Sequence, residues 1–130
     1  MLPKNVSIYR PPFFIVICKS CGCPFILYHP RHLNKAQFCC RKHKDRYVNL
    51  SRQKRYRKQI IDLLGGKCAK CGYSGPALQI DHVNDGGYKD RRMGTLVYYR
   101  KFLKEIQSGS KDYQLLCANC NWEKELCRRQ

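Results

Sequence analysis

Acidic residues are scarce: nine Asp and Glu stand against 26 Lys and Arg in 130 residues, a net charge of +17. Such a balance excludes an acidic or neutral surface and sets up a field that draws polyanions, of which nucleic acid is the usual one. A basic RNA-coating protein of ribosomal type has the same charge, so charge alone does not separate binding from catalysis. Any apolar run of membrane-spanning length is also lacking. The nearest thing to a secretory signal, Phe13-Phe14-Ile15-Val16-Ile17, is short and runs directly into Cys18 and Lys19. The chain is therefore expected to be intracellular and not secreted. Length is modest too, enough for one domain or two very small ones and too little for a large apolar core. There is no low-complexity tract, and no internal repeat beyond one cysteine turn that occurs twice.

What the chain has instead is cysteine, ten in all. In so short a chain this points to metal or disulfides standing in for missing core. Cys-x-x-Cys pairs suit tetrahedral zinc better than disulfide geometry, and zinc fits a reducing compartment. Cys68, Cys71, Cys117 and Cys120 form one four-cysteine set. Its pairs are separated by a whole strand–turn–helix stretch, so zinc there closes a long loop and contributes several kcal/mol, comparable with the stability of a small domain. Cys18 and Cys21 supply half of a second set, completed by Cys39 and His43, four apart and so on one face of a helical turn. Cys40 competes with Cys39 for this place. Cys23 and Cys127 read as small buried hydrophobes.

Residues 1–12, with Pro3, Pro11 and Pro12, read as an extended arm, and Phe13–Ile17 as a strand that delivers Cys18. Gly22 after Cys21 lets the backbone curl so that amides can point at sulfur. A strand and loop over 24–38 lead to a helix from about Lys44 to Leu64, on which Tyr56, Ile60, Leu63 and Leu64 recur at helical spacing. Gly65-Gly66 stops it. Arg52, Lys54, Arg55, Arg57 and Lys58 crowd its remaining surface without intervening acids, a repulsive arrangement unless a polyanion lies near. A merely solvated face is the plainer reading of the same run. After the second cysteine turn, Leu78–Val83 alternates as a strand does, and Asn84-Asp85-Gly86-Gly87 is a turn. Thr95–Gln107 reads as an amphipathic helix, with Leu96, Tyr99, Leu103 and Ile106 inside and Arg100, Lys101 and Lys104 outside. Ser108-Gly109-Ser110 breaks it, Tyr113–Leu116 is a strand, and Cys117 opens a last helix that ends near Arg128. The expected fold is a small, zinc-rich α+β protein in three parts: a zinc module over 1–45, a basic connecting helix over 46–66, and a second zinc-braced domain over 67–130.

Asp81-His82 lies between the two pairs of the four-cysteine set, and Asn121 follows its last cysteine directly. Hydrolysing a phosphodiester needs a water deprotonated near neutral pH and a cation over the departing oxygen. A histidine, which ordinarily titrates near pH ~6.5, can take that proton, and His82 is the candidate general base. Asp81 and Asn121 offer oxygen ligands of the kind Mg²⁺ takes, few enough to leave room for water and phosphate. Singly, each has a plainer role: a surface Asp-His pair, an Asn capping a helix. Their joint placement in a cationic chain is what suggests chemistry.

Residues 67–124 resemble the HNH endonucleases, through Cys68-x-x-Cys71, Ile80-Asp81-His82-Val83, Leu115-Leu116-Cys117-x-x-Cys120-Asn121 and Lys124. The resemblance implies a ββα-metal fold, two strands and a helix around one metal, braced by the four-cysteine zinc. It also implies that His82 is the general base, that Asp81 and Asn121 hold a divalent cation such as Mg²⁺, and that DNA is hydrolysed to 5′-phosphate and 3′-hydroxyl ends. The family's middle Asn, whose side chain bonds backbone near the base, falls on Asp112. Asp accepts but cannot donate such bonds, so Gln114 is a candidate substitute. The turn after His82 is similar to that of the phage and intron-borne branch, and Arg91 and Arg92 beyond it are candidate phosphate contacts. The first half resembles, more loosely, the treble-clef zinc modules that precede HNH domains in some such enzymes. By analogy it would contact DNA and set the register, with a purely structural cap as the alternative.

On this reading the chain takes two structural zinc ions, one catalytic divalent cation and DNA. One active site per chain cuts one strand, so a double-strand break requires a homodimer or two events. The rival reading is a zinc-dependent DNA- or RNA-binding protein without nuclease activity, which keeps all eight zinc ligands and needs no further metal.

Overall fold

The computed structural model describes residues 13–84, 86–90 and 92–129, and for Tyr88 the backbone alone. The expected arm over 1–12, Asp85 of the turn and Arg91 lie outside the described residues. Two compact units divide between Asn49 and Leu50, inside a helix.

In the first unit, β1 (Phe14–Ile17) and β2 (Pro24–Leu27) form an antiparallel hairpin, with Phe14 opposite Leu27 and Ile17 opposite Pro24. The turn that joins them is pinned by Cys18 N–H donating to the Cys23 carbonyl at 3.0 Å and Gly22 N–H to the Cys18 carbonyl at 2.9 Å. Gly22 sits at φ 74°, where a side chain would be strained, which explains a glycine directly after the second cysteine. A 3-10 turn (Pro30–His32) and helix α1 (Arg41–Leu63) follow, the helix beginning three residues before the expected Lys44. Strand alternation half-buries Phe14, Val16, Phe25 and Leu27 and leaves Ile15, Ile17 and Ile26 exposed. Among the described residues of this unit only Cys18 is buried. Its apolar core is too small to hold a fold, and its cysteine cluster is the element left to do so.

The second unit has a core of its own. Strand β3 (Leu78–His82) pairs antiparallel with β4 (Tyr113–Cys117), placing His82 opposite Tyr113 and Asp81 opposite Gln114. Between the strands run a one-turn helix α2 (Gly87–Asp90) and α3 (Thr95–Gln107), and α4 (Ala118–Arg128) leaves β4 without a loop. Strand β4 is buried almost throughout because both its faces are covered. One cluster joins Leu78, Leu115 and Leu116 to Cys68, Cys117 and Cys120; the other gathers Ile60, Phe102 and Tyr113. Each fully buried Leu, Ile or Phe stabilises by roughly 1.5–3 kcal/mol. The small α+β architecture therefore stands as expected: among the described residues, three helices of two turns or more and two small antiparallel sheets, with two cysteine-rich clusters.

Several details differ from the sequence reading. Leu63, expected inside, is 52% exposed, and Ile61 packs beside Leu64 instead, because Ile60 is the point of α1 that meets the core. The buried centre of α3 is Phe102, with Tyr99, Leu103 and Ile106 flanking it. Cys23 and Cys127 are exposed, not buried: Cys23 follows the glycine of its turn, and Cys127 lies in the last turn of α4. Among the described residues no helix is long and apolar enough to cross a membrane.

Candidate metal centres and a polar cleft

Cys18, Cys21, Cys39 and His43 bring their ligand atoms within 4.8 Å of one another, and so do Cys68, Cys71, Cys117 and Cys120. Both clusters are built alike, from a cysteine turn and the start of a helix. Gly72, at φ 75°, repeats the part of Gly22, with Cys68 N–H on the Tyr73 carbonyl at 2.8 Å and Gly72 N–H on the Cys68 carbonyl at 2.9 Å. Cys117 caps α4, its sulfur accepting from Cys120 N–H at 3.5 Å. In the first cluster Cys39 precedes α1 and His43 lies in its first turn, while Cys40 falls outside the cluster.

Donor set and spacing fit zinc. A tetrahedral Zn–S₄ centre places sulfurs about 3.8 Å apart. Cys21 and Cys39 sulfurs are 3.8 Å apart, and those of Cys71 and Cys117 are 3.6 Å apart. Disulfide bonding requires about 2.05 Å, and all ten cysteines are free. His43 Nδ1 lies 2.9 Å from the Cys39 sulfur, tighter than the about 3.5 Å edge that zinc imposes. Within each cluster the thiols differ sharply. Burial pushes Cys18 up, but amide N–H groups of Cys39, Cys21 and Ser20 outweigh it and hold the thiol down at about 6. Cys68 is held at about 6 in the same way by Cys71, Cys117 and Lys70. Burial and neighbouring Cys18 and Cys21 push Cys39 up to about 12. The Cys117 sulfur and burial do the same to Cys120, also up to about 12. Crowded thiolates repel, and a bound cation is what lets all of them ionise together. Both clusters can thus hold zinc.

Beside the four-cysteine cluster lies a cleft of about 640 Å³, lined by Asp81 and His82 from β3 and by Asn121 and Lys124 from α4. Three residues singled out from the sequence therefore share one cavity. Gln114 Nε2 and Lys124 Nζ both donate to Asp81 Oδ2 at 2.8 Å, and Lys124 also donates to the His82 carbonyl at 2.5 Å. Asn121 Nδ2 donates to Gln79 Oε1 at 2.6 Å, which ties up the amide nitrogen and leaves its oxygen as the atom able to ligate a cation. Trp122, the single tryptophan of the chain, is 61% exposed on the rim of the cleft.

His82 is the most constrained group here. Its ring packs edge-on to Phe102 at 5.1 Å and tilted against Tyr113 at 5.0 Å. Nε2 lies 3.0 Å from Asp90 Oδ2, while Lys101 Nζ donates to Asp90 Oδ1 at 2.8 Å. Burial alone would raise the Asp90 carboxyl, but the bonds from Lys101 and His82 outweigh it and hold the carboxyl below its ordinary range. Lys101, expected on the outer face of α3, reaches inward because a buried carboxylate needs a partner.

The Asp112 side chain accepts from Ser110 Oγ at 2.7 Å. Its backbone carbonyl accepts Val83 N–H at 2.9 Å and so anchors the residue after His82. Gln114, the suggested substitute, holds Asp81 and not the His82 loop. On α1, Arg52, Lys54, Arg55 and Lys58 are exposed, whereas Arg57 donates to the Leu78 carbonyl at 2.5 Å and ties the helix to β3. Arg92 is exposed. Sequence reasoning missed Asp90 and Lys101; the one signal available was an acid placed among basic residues in a chain with nine acids.

No family model, curated protein or solved structure matches this chain.

Proposed function

We propose that the unit containing the four-cysteine cluster is a metal-dependent endonuclease that hydrolyses DNA to 5′-phosphate and 3′-hydroxyl ends. The observation that carries this reading is the convergence of Asp81, His82 and Asn121 on one cleft, from a strand and a helix that the four cysteines fasten together. A carboxylate and an amide oxygen are hard donors suited to Mg²⁺ or a similar ion. Such an ion, when bound, supplies positive charge against the phosphate and the departing oxygen. His82 takes a proton from the attacking water. Lys124, on Asp81 Oδ2, adds positive charge at the same place. Exposed cations on α1 and Arg92 draw the phosphate backbone. The zinc clusters act as scaffold, and the first of them is proposed to carry a DNA-contacting module.

One observation favours the second reading, a zinc-dependent DNA- or RNA-binding protein without nuclease activity. Lys124 already neutralises Asp81 at 2.8 Å, so the carboxylate does not require a divalent ion. Zinc-loaded protein incubated with end-labelled duplex and Mg²⁺ decides between them. Nuclease action leaves 5′-phosphate and 3′-hydroxyl ends; tight binding of intact duplex with Mg²⁺, Mn²⁺ and Ca²⁺ alike supports the binding protein.

A further inference from the structure

We infer that Asp90, backed by Lys101, is a positioning residue that sets the tautomer of His82, taking the Nε2 proton and leaving the lone pair on Nδ1. Its kinetic consequence rests on the nuclease reading, although the tautomer itself does not. Asp90 is 5% exposed and both its oxygens are engaged, Oδ2 with His82 Nε2 at 3.0 Å and Oδ1 with Lys101 Nζ at 2.8 Å. An ammonium only donates and a carboxylate only accepts. The order along Lys101, Asp90 and His82 is therefore forced: Nε2 must bear hydrogen, and the neutral ring keeps its lone pair on Nδ1. Packing against Phe102 and Tyr113 opposes the ring flip that would exchange the two nitrogens. Nδ1 faces Gly87, where an added Cβ would come within 3.2 Å, and Gly87 lines the same cleft. Glycine there keeps a side chain off the lone-pair edge of the ring.

Lys101 makes the inference sharp. In Asp90→Asn the ammonium must take the amide oxygen, which turns the NH₂ toward Nε2. The ring then has to accept at Nε2 and protonate Nδ1, the wrong tautomer in intact geometry. A buried carboxylate replaced in this way beside a catalytic histidine lowers turnover by roughly 10⁴-fold in the serine-protease case. Asp90→Asn is expected to lose activity on that scale and to fall below Asp90→Ala, in which either tautomer is open. In Asp90→Asn/Lys101→Met the amide is free to turn its oxygen to Nε2, and at least about tenfold of the activity returns.

The test combines nitrogen-15 NMR of the His82 ring with cleavage rates, on full-length zinc-loaded protein. Expected in the wild type is a protonated Nε2 and a lone-pair Nδ1 in the neutral ring, exchanged in Asp90→Asn and restored in the double variant. A wild-type ring protonated on Nδ1, or one unchanged in a folded Asp90→Asn, overturns the inference; should Asp90→Asn not fold, the wild-type spectrum alone decides. A chain with the expected tautomer but no cleavage leaves Asp90 in its role and removes the nuclease reading instead.

Discussion

Stripping zinc should separate the two units by their response. A structural zinc contributes an apparent ~10–16 kcal/mol to a small module, and a whole domain is stable by about 5–15 kcal/mol. Up to Asn49 the chain buries only Cys18 among its described residues, so zinc loss there removes the entire margin. Beyond Leu50 it also buries Ile60 and Phe102 in a cluster apart from the cysteines, each contributing roughly 1.5–3 kcal/mol. Four crowded thiols without a cation still weaken that unit, but do not empty it. Peptide-resolved hydrogen exchange with and without a strong chelator, alongside zinc quantification, reads this directly. With zinc removed, the hairpin amide of Cys18, bonded to the Cys23 carbonyl, should exchange as in unfolded chain. The β3–β4 amides should keep partial protection. Hairpin amides still protected after confirmed loss of both zinc ions would refute the reasoning that metal replaces core in the first unit.

Phe102→Ala, at a residue of 0% exposure, should cost about 3–5 kcal/mol by urea denaturation; a loss below ~1 kcal/mol would mean the site collapses freely or is not packed as described. Gly87→Ala should keep stability and zinc but slow cleavage more than it weakens DNA binding, since the new methyl crowds Nδ1 of His82 at 3.2 Å; unchanged turnover would place the reactive edge elsewhere. Trp122 should report cleft occupancy, its emission quenched by a short oligonucleotide and not by Mg²⁺ alone, and a response identical for both would remove DNA from the rim. The Asp90 carboxyl is held below its ordinary range, so its contribution is complete above the unfolded value of about 3.9 and is lost as pH falls through the lowered folded value. The difference in urea midpoint between wild type and Asp90→Leu should therefore shrink as pH falls below about 4; a difference that grows across that acid range contradicts the sign.

The metal clusters were legible in the sequence because ligand spacing along the chain is what builds them. Two Cys-x-x-Cys-Gly turns prescribe the same backbone twice, and Cys117-x-x-Cys120 coincides with a helix start. Even Cys39 against Cys40 follows once α1 begins at Arg41, because that brings Cys39 into reach of His43. The grouping of Asp81, His82 and Asn121 was legible for a similar reason: two lie side by side and the third follows a zinc ligand. What escaped is whatever depends on non-local contact. Asp90 belongs to a four-residue helix with no periodic signal, and its role exists only because β3 and α3 close on it from either side. Phe102 took the centre of α3 because the His82 and Tyr113 rings fill the space opposite it. Asp112, singled out for its side chain, also anchors Val83 through a carbonyl that any residue would supply.

Supercoiled plasmid, incubated with zinc-loaded full-length protein and Mg²⁺, tests the central claim most directly. Wild-type protein should convert it to the nicked form, leaving out Mg²⁺ should stop the reaction while the zinc stays bound, and His82→Ala should bind the plasmid with undiminished affinity and leave it supercoiled. Nicking by His82→Ala at the wild-type rate, or a wild-type protein that binds and never cuts with any divalent ion, would contradict it.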